Sequence, residues 1–307
     1  MFHESRGVVK EFPVEEEFKK GNGITSQDVE TFRNWLQTQP HLPAKYITDL
    51  DLILTYHCCE RSSEVSKQVL DLHFTLRVHF PNFFKDRIVD KKILNTFNVV
   101  LGLPLEIRSN EGYAVFYTHL LDYDTKNFVF SEAVRAILMT LDLWQYEAGT
   151  WPGFVILIDM DRVTLGHLAR LDIVTLRNFL YYLQKALLVK LKGLHFLNAP
   201  SFMDKLMMML KPFLEPKLTE MLFIHQVGSQ TLEKFVPVKG LPKEAGGEFK
   251  TFQECRDHIL AKIEANSDYF LNENKKRVVE SLRPGNPKSI SDIFGGVEGS
   301  FKKLDID

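Results

Sequence analysis

Cysteine is scarce in this chain, with three residues among 307. Cys58 and Cys59 are adjacent and Cys255 lies far away in the sequence, so the three cannot all pair. The simplest interpretation is reduced thiols in the cytoplasm, because disulfide frameworks belong to oxidising compartments. A zinc site is not expected either, since Cys58-Cys59 lacks the two-residue gap of zinc ligands. The cysteines therefore exclude a disulfide-stapled scaffold.

Long apolar runs and an excess of one charge are also missing. Lys185, Lys190 and Lys211 interrupt the longest apolar stretches well before they reach membrane-spanning length. No apolar run follows residues 1–6, so we expect no signal peptide. The formal net charge of −2 predicts no nucleic-acid partner and restricts any basic patch to a local surface. We expect a soluble cytoplasmic protein whose contact with membranes is peripheral and transient.

Sequence motifs for nucleotide chemistry and for hydrolysis are absent. The turn after Asp159 contains no glycine, and neither G-x-x-x-x-G-K-[ST] nor G-x-S-x-G occurs. Asp159 and Asp161 could ligate a metal at a strand end, but capping of the following turn is the more ordinary interpretation. A lipid isomerase or hydrolase would have to use His119, His195 or Asp159, and we favour this function least. No catalytic residue, metal or cofactor is expected, and the chain is predicted not to be an enzyme.

The first part of the chain has the pattern of a small helical bundle. Thr25-Ser26-Gln27-Asp28 has the form of a capping box, and apolar residues follow it at helical spacing. A second helix is predicted around residues 47–54, and a third begins near Ser62-Ser63 and is ended by Pro81. We assign residues 1–95 to an N-terminal helical domain.

The pattern then changes to alternating strands and helices. Residues 113–121 are rich in aromatic and β-branched side chains and predict a strand, and a helix follows from about residue 131. Three further apolar runs, at residues 153–159, 194–198 and 222–225, are continuous, which is typical of parallel strands covered on both faces. The predicted fold class is α/β, with an N-terminal helical bundle followed by a mainly parallel sheet covered by helices. We assign residues 96–250 to this domain, and residues 251–307 to a C-terminal helix (252–270) and tail.

The segment at residues 202–221 is apolar on nearly every side. It contains the run Met207-Met208-Met209, whereas an amphipathic surface helix has a single apolar stripe. We predict a helix that begins with a capping box at residues 201–204, kinks at Pro212 and restarts at Pro216. One interpretation is a buried central helix. The other is a mobile lid between an apolar cavity and a membrane, because flexible methionines can repack around a ligand.

Lysines flank this segment. Lys190 and Lys192 precede the strand at residues 194–198, and Lys217 lies near the end of the segment. Unpaired lysines are not buried, so these side chains face water at one edge of the sheet. They are either ordinary solvated residues or a basic patch for anionic lipid headgroups, where each lysine contributes on the order of 1 kcal/mol.

Taken together, these residues resemble the CRAL-TRIO (Sec14-like) lipid-binding family, in particular the branch of alpha-tocopherol transfer proteins, retinaldehyde-binding proteins and clavesins. The matching pieces are residues 153–159, 190–200, 209–214, Lys217 and residues 241–247. Residues 42–77 are similar to the family's N-terminal three-helix region, and the ending at residues 297–304 is similar to arthropod members.

The resemblance implies a sheet beneath a helical lid that opens at membranes to exchange a hydrophobic ligand. The expected function is intracellular transfer of a tocopherol, retinoid, carotenoid or similar lipid between membranes. The family's phosphoinositide-binding cluster maps to Lys190, Lys192 and Lys217, while its fourth basic position is Met221 here. The alternative is a membrane-associated sensor or adaptor that reads phosphoinositides. The expected partners are the lipid and an anionic or phosphoinositide-containing membrane surface, and we expect a monomer.

The side chains around the expected cavity follow from strand alternation and helical spacing. On the strand at residues 153–159 the alternating set is Phe154, Ile156 and Ile158. The neighbouring helices and the lid supply the other apolar candidates, which are Ile137, Phe179, Leu183, Leu187, Phe202, Leu206, Leu210 and Phe213. Candidate polar contacts for a ligand hydroxyl or carbonyl are Tyr117, Thr118 and Thr140. For each residue the alternative is ordinary core packing.

Overall fold

The fold comes from a computed structural model that describes residues 7–294. The predictions for residues 1–6 and for the ending at residues 297–304 lie outside the described residues. The helices before the sheet are α1 (Val14–Lys19), α2 (Ser26–Gln37), α3 (Asp49–Cys58), α4 (Ser63–His79), α5 (Pro81–Phe84) and α6 (Lys91–Thr96). The later helices are α7 (Phe130–Ala148), α8 (Leu165–Leu168), α9 (Ile173–Lys185), α10 (Met203–Leu210), α11 (Pro216–Thr219), α12 (Phe252–Ala265), α13 (Ser267–Glu273) and α14 (Ile290–Phe294).

A five-stranded sheet organises the second part of the chain. Its strands are β1 (Val100–Arg108), β2 (Ala114–Leu120), β3 (Phe154–Asp159), β4 (Leu191–Ala199) and β5 (Leu222–Gln226). The strands lie side by side in chain order, with β1 antiparallel to β2 and all other neighbours parallel. The predicted α/β fold with a mainly parallel sheet is therefore confirmed.

Both faces of the sheet are buried, each in its own apolar cluster. One face, which includes Phe116, Phe154 and Leu194, packs with buried residues of α9 and α10. The other face, which includes Val115 and Leu157, packs with buried residues of α12. Helix α7 contributes to both clusters. Because successive residues of a strand point to opposite faces, this two-sided burial explains the continuous apolar runs in the sequence.

The N-terminal helices pack around a separate apolar cluster that α2, α3 and α4 share. The predicted capping box at the start of α2 is confirmed. The backbone N–H of Asp28 donates to Thr25 Oγ1 at 3.2 Å, and the Thr25 N–H donates to the Asp28 carboxylate at 2.8 Å. Helix α3 begins with an equivalent box between Thr48 and Asp51. These caps satisfy backbone donors that the first helical turn leaves unpaired.

Strand β1 is not predicted from the sequence, because the first strand expected there begins at residue 113. The strand includes Gly102 and Pro104, which are unfavourable inside a sheet. Both are tolerated because β1 lies at the sheet edge, and its pairing with β2 shifts register between Pro104 and Arg108.

The helix expected for residues 202–221 restarts at Pro216 as predicted, but at Pro212 it is interrupted and not merely kinked. The segment forms α10, a 3₁₀ turn at Lys211–Phe213, and α11. Pro212 and Pro216 explain the breaks, because proline cannot donate a helical hydrogen bond, and Pro216 begins α11. The capping box expected at residues 201–204 is not formed, since no side chain caps α10 at Phe202.

The C-terminal helix expected at residues 252–270 is likewise divided, at Asn266, into α12 and α13. The buried Asn266 side chain accepts a hydrogen bond from the backbone N–H of Val9 at 2.8 Å, so the break serves to bind the N-terminal segment. Within residues 7–294, no helix combines the length and the apolar character needed to cross a bilayer.

Candidate functional site

A cavity of about 230 Å³ lies between the sheet and the helices that cover one of its faces. The strand register explains its floor. Phe116 of β2 is aligned with Ile156 of β3, which is aligned with Leu194 of β4, and all three side chains line the cavity. Positions two residues further along, including Ile158 and Phe196, continue the same surface. Regular strand alternation thus builds an apolar floor.

Helices α7 and α9 form the walls of the cavity, and α10 forms its roof. Leu183 and Leu187, four residues apart, face the cavity from α9 and the residues that follow it. Leu206 and Leu210, again four residues apart, close it from α10. Every lining residue is apolar except Thr118, His119, Asp159 and His167.

Ten of the fourteen predicted ligand-contact residues line this cavity. They are Thr118, Ile137, Phe154, Ile156, Ile158, Phe179, Leu183, Leu187, Leu206 and Leu210. The structure brings them together around one space, although it contains no ligand that would test their role.

The other four predicted contacts lie elsewhere. Tyr117 points to the opposite face of the sheet, where its hydroxyl donates to Asp159, because it alternates with the cavity-lining Phe116 and Thr118. Thr140 donates to the Ala136 carbonyl at 3.1 Å and borders a smaller cleft of about 80 Å³ between β1, α7 and α12. Phe202 and Phe213 are partly buried against the cluster that surrounds the cavity, but they do not line it.

Several lining residues are not among the sequence candidates. One group comes from the segment between β3 and α9 and from α9 itself, and consists of Met160, Val163, His167, Leu168, Leu171, Leu176 and Leu180. A second group comes from α7 and the residues before it, and consists of Phe128, Phe130, Ala133, Val134, Leu138 and Leu141. In α9, the spacing of Leu176, Leu180 and Leu183 is a helical stripe that the sequence displays. The loop after β3 carries no such periodic signal, so its contribution depends on the tertiary path of the chain.

The polar residues Thr118 and Asp159 are bonded within the protein, whereas both ring nitrogens of His119 lack a hydrogen-bond partner among residues 7–294. Thr118 Oγ1 donates to the Leu157 carbonyl at 3.2 Å. Burial raises the pKa of Asp159, but His119 (with Nδ1 3.4 Å from Asp159 Oδ2), Tyr117 and Asn198 together outweigh burial and lower this pKa overall. The ring of His119 stacks on Phe252 of α12, with 4.2 Å between centroids, and so points away from the cavity.

His195 and Asp159, two of the residues that a lipid isomerase or hydrolase would use, contact other residues of the protein. His195 Nδ1 and His225 Nε2 are 3.0 Å apart, and the His195 ring stacks on Phe223. Burial, with His225 as the second cause, lowers the pKa of His195 to about 4. Asp159 also accepts the backbone N–H of Asp161 at 3.0 Å, which is the turn-capping arrangement. In the part of the chain that the structure describes, no three His, Cys, Asp or Glu side chains could hold a metal ion together.

The roof has two different faces. Met203, Leu206 and Leu210 are buried, whereas Met208 is 74% exposed. The roof is fastened to α9 through Gln184, whose Nε2 donates to the Phe213 carbonyl at 2.9 Å and whose Oε1 accepts from the Glu215 N–H at 2.8 Å. These bonds hold the turn between α10 and α11 against α9.

The three predicted basic residues do not form a uniform patch. Lys190 is largely shielded and donates to Glu60 at 2.9 Å. The hydrogen bond from Lys190 lowers the pKa of Glu60, and the charges of Lys190 and Lys192 act in the same direction. Lys192 and Lys217 are exposed. Glu60 thus neutralises one lysine of the group.

Comparisons with known proteins give consistent similarities. Residues 103–247 match the family model described as the CRAL/TRIO domain, and residues 23–94 match the model described as the Pinta-like UBA domain. Clavesin-1 of Mus musculus is 23% identical over 234 residues, which cover 75% of this chain and 66%, slightly under two thirds, of Clavesin-1. Clavesin-2 of Homo sapiens is 22% identical over 269 residues, covering 86% of this chain and 82% of Clavesin-2. A crystal structure of Sfh5 gives a TM-score of 0.43 at 12% identity, with 94% of this chain and 97% of that chain covered.

Proposed function

Because this chain belongs to the CRAL-TRIO (Sec14-like) family, we propose that it binds one small hydrophobic molecule beneath α10 and transfers it between membranes. The observation that carries the proposal is the apolar cavity of about 230 Å³. This function needs no covalent step and no cofactor. Transfer also requires only transient contact with a membrane, as expected of a monomeric cytoplasmic carrier.

The size of the cavity limits the size of the ligand that it can hold. An engineered apolar cavity of about 150 Å³ holds benzene, so a cavity of about 230 Å³ accommodates a hydrocarbon of roughly ten carbons. A tocopherol, retinoid or carotenoid is larger and enters only if the roof moves outward. The partly exposed methionines of α10 can repack for this purpose, because their side chains are unbranched and flexible.

The expected affinity follows from buried surface. Burying about 300 Å² of apolar ligand surface contributes about 7 kcal/mol at ~25 cal/mol per Å². The loss of ligand freedom and the ordering of the roof reduce this value. Binding at micromolar or lower concentration therefore needs no ionic contact.

A cavity-filling substitution tests this function. Ile156→Phe places extra volume on the cavity floor, and we expect it to weaken binding of retinol by about tenfold, since overpacking costs about 1–3 kcal/mol. The matched control is Ile88→Phe, because Ile88 is 50% exposed and lies outside the cavity. Retinol fluorescence measures binding, and urea unfolding verifies that both variants fold. Equal retinol affinity in the two variants would contradict binding in this cavity.

A second candidate function is reading of phosphoinositides without ligand transfer, and the exposure of Lys192 and Lys217 favours it. Vesicle flotation and vesicle-to-vesicle transfer separate the two functions. The double variant Lys192→Ala/Lys217→Ala is compared with Lys91→Ala/Lys126→Ala, which removes two exposed lysines elsewhere. If the protein is a carrier, Ile156→Phe loses transfer of retinol but still floats with vesicles. If the protein is a sensor, Ile156→Phe still floats with vesicles, whereas the lysine variant no longer floats with phosphoinositide-containing vesicles. In that case the wild-type protein transfers no retinol.

A further inference from the structure

His167 is a polar residue of the cavity wall, and one of its two ring nitrogens has no hydrogen-bond partner among residues 7–294. It lies in α8, in the loop between β3 and α9, and is 2% exposed. His167 and Phe128 both line the cavity. The ring of Phe128 packs edge-on against the imidazole, with 5.6 Å between the ring centroids. A titratable side chain thus belongs to a wall in which only Thr118, His119 and Asp159 are also polar.

The backbone fixes the tautomer of His167. The N–H of Thr164 points to His167 Nδ1 at 3.1 Å, and an N–H group can only donate, so Nδ1 must be the unprotonated acceptor. In the neutral ring the proton then resides on Nε2. Burial, and next the charge of Arg170, lower the pKa of His167, so the neutral ring prevails near pH 7. His167 therefore presents an Nε2–H donor.

This donor is unsatisfied. His167 Nε2 is buried and has no hydrogen-bond partner among residues 7–294. A buried N–H without an acceptor is unfavourable, and structures normally supply a partner. Thr118 and Asp159 differ because they are bonded within the protein. The ring nitrogens of His119 also lack a hydrogen-bond partner among residues 7–294, but this ring stacks on Phe252 on the opposite face of the sheet.

We propose that His167 Nε2–H donates a hydrogen bond to an acceptor oxygen of the ligand. The inference rests on the proposed carrier function and defines its ligand further, as a hydrocarbon with a carbonyl, ether or hydroxyl oxygen near one end. His167 would then select such a molecule over a pure hydrocarbon of the same shape.

A matched pair of ligands tests this selection. The ketone β-ionone is compared with the hydrocarbon in which CH₂ replaces its carbonyl, and both are titrated calorimetrically into wild-type protein and His167→Met. We expect wild type to prefer the ketone by about five- to tenfold, the effect of one buried hydrogen bond, and the variant to lose this preference. A general weakening of the variant acts on both ligands equally and cancels in the ratio.

The control is His79→Met, since His79 Nε2 is likewise buried without a partner but lies outside the cavity wall. This variant should keep the preference for the ketone. A second readout uses only wild type: the Nε2–H resonance of His167 should shift with the ketone and stay in place with the hydrocarbon.

An unchanged preference in His167→Met, or equal shifts with both ligands, overturns the proposal. Absence of binding by both ligands and by retinol contradicts the carrier function itself, whereas binding of both without preference contradicts only the role of His167.

Discussion

At the scale of single residues, Glu60 determines how much positive charge the lysine group presents. Glu60 is exposed and holds Lys190 in an ion pair of 2.9 Å, near the exposed Lys192. Exposed ion pairs contribute little to stability, so the pair acts mainly on surface charge. A glutamate in this position reduces attraction to an anionic membrane.

Replacing Glu60 with glutamine should therefore increase binding to anionic vesicles by about fivefold, because each lysine near such a surface contributes about 1 kcal/mol. The control is Glu64→Gln, which removes a carboxylate that pairs with Lys67 instead. Vesicle flotation measures the effect, which should decrease at high salt. Equal flotation of the two variants would show that Lys190 does not contact membranes.

Asp71 provides a residue-scale prediction about acid stability. Burial raises its pKa, but hydrogen bonds from Arg283 and Lys288 outweigh burial and lower the pKa to about 2. Because the folded-state pKa is below the unfolded value near 3.9, Asp71 stabilises the fold above about pH 4, and this contribution disappears as pH falls towards 2. Asp71→Asn should lower the free energy of unfolding by about 2 kcal/mol at pH 7. In urea unfolding, the difference from wild type should vanish near pH 2, and a difference that is independent of pH contradicts the assignment.

At the scale of elements, the connection between α10 and α11 is bonded to α9. Gln184 binds both the Phe213 carbonyl and the Glu215 N–H, and Lys185 pairs with Glu215 at 2.5 Å. Two proline-induced breaks flank this connection, so few other backbone bonds stiffen it.

Gln184→Met should accelerate release of bound retinol by up to about thirtyfold, since two partly buried hydrogen bonds of roughly 1 kcal/mol each are lost. The rate of retinol transfer from protein to acceptor vesicles measures this effect. Gln253→Met is the control, because Gln253 is exposed and bonds only to Asp257 in α12. If both variants release retinol at the wild-type rate, the roof does not open at this connection.

The elements also show what the sequence can predict. Strands β2 to β5 and helices α2, α3, α4, α7 and α9 have clear periodicity or apolar runs, and their existence follows from those patterns. Strand β1 is missed because Gly102 and Pro104 contradict strand propensity, and only the sheet edge makes them acceptable. The division of residues 202–221 is underestimated because two prolines four residues apart leave too little chain for a continuous helix.

At the scale of the whole molecule, a buried ionic cluster joins elements that are distant in sequence. Arg77 of α4 binds Asp142 of α7 at 3.1 Å and Glu273 of α13 at 2.8 Å. Arg87 also binds Asp142, at 2.5 Å, and Lys276 connects Glu273 to Asp51 of α3. The cluster fastens the N-terminal and C-terminal helices to the domain that contains the cavity.

Arg77→Met should lower the free energy of unfolding by about 3–5 kcal/mol, because it leaves two buried carboxylates without one of their partners. Arg33→Met is the control, since the pair of Arg33 with the half-exposed Asp49 should contribute less than about 1 kcal/mol. Urea unfolding at pH 7 measures both values. A loss of under 1 kcal/mol in Arg77→Met would contradict the importance of this cluster.

The cavity floor and the polar lining residue Thr118 could be predicted from the sequence, whereas the position of His167 could not. Alternation along β3 identifies Phe154, Ile156 and Ile158 directly. Tyr117 and Thr140 do not line the cavity, because their orientation depends on which face of β2 and α7 meets it. His167 has no distinctive sequence pattern, since its role depends on the path of the loop after β3 and on a backbone bond from Thr164.

The most direct test is to identify what the protein carries. Wild-type protein and Ile156→Phe are purified from cells, extracted with organic solvent and analysed by mass spectrometry. We predict that wild type yields an apolar lipid at close to one molecule per chain and that Ile156→Phe yields much less. Wild-type protein that is reproducibly empty, and that also fails to take up retinol or other isoprenoids from vesicles, would contradict the presence of a hydrophobic ligand in this cavity.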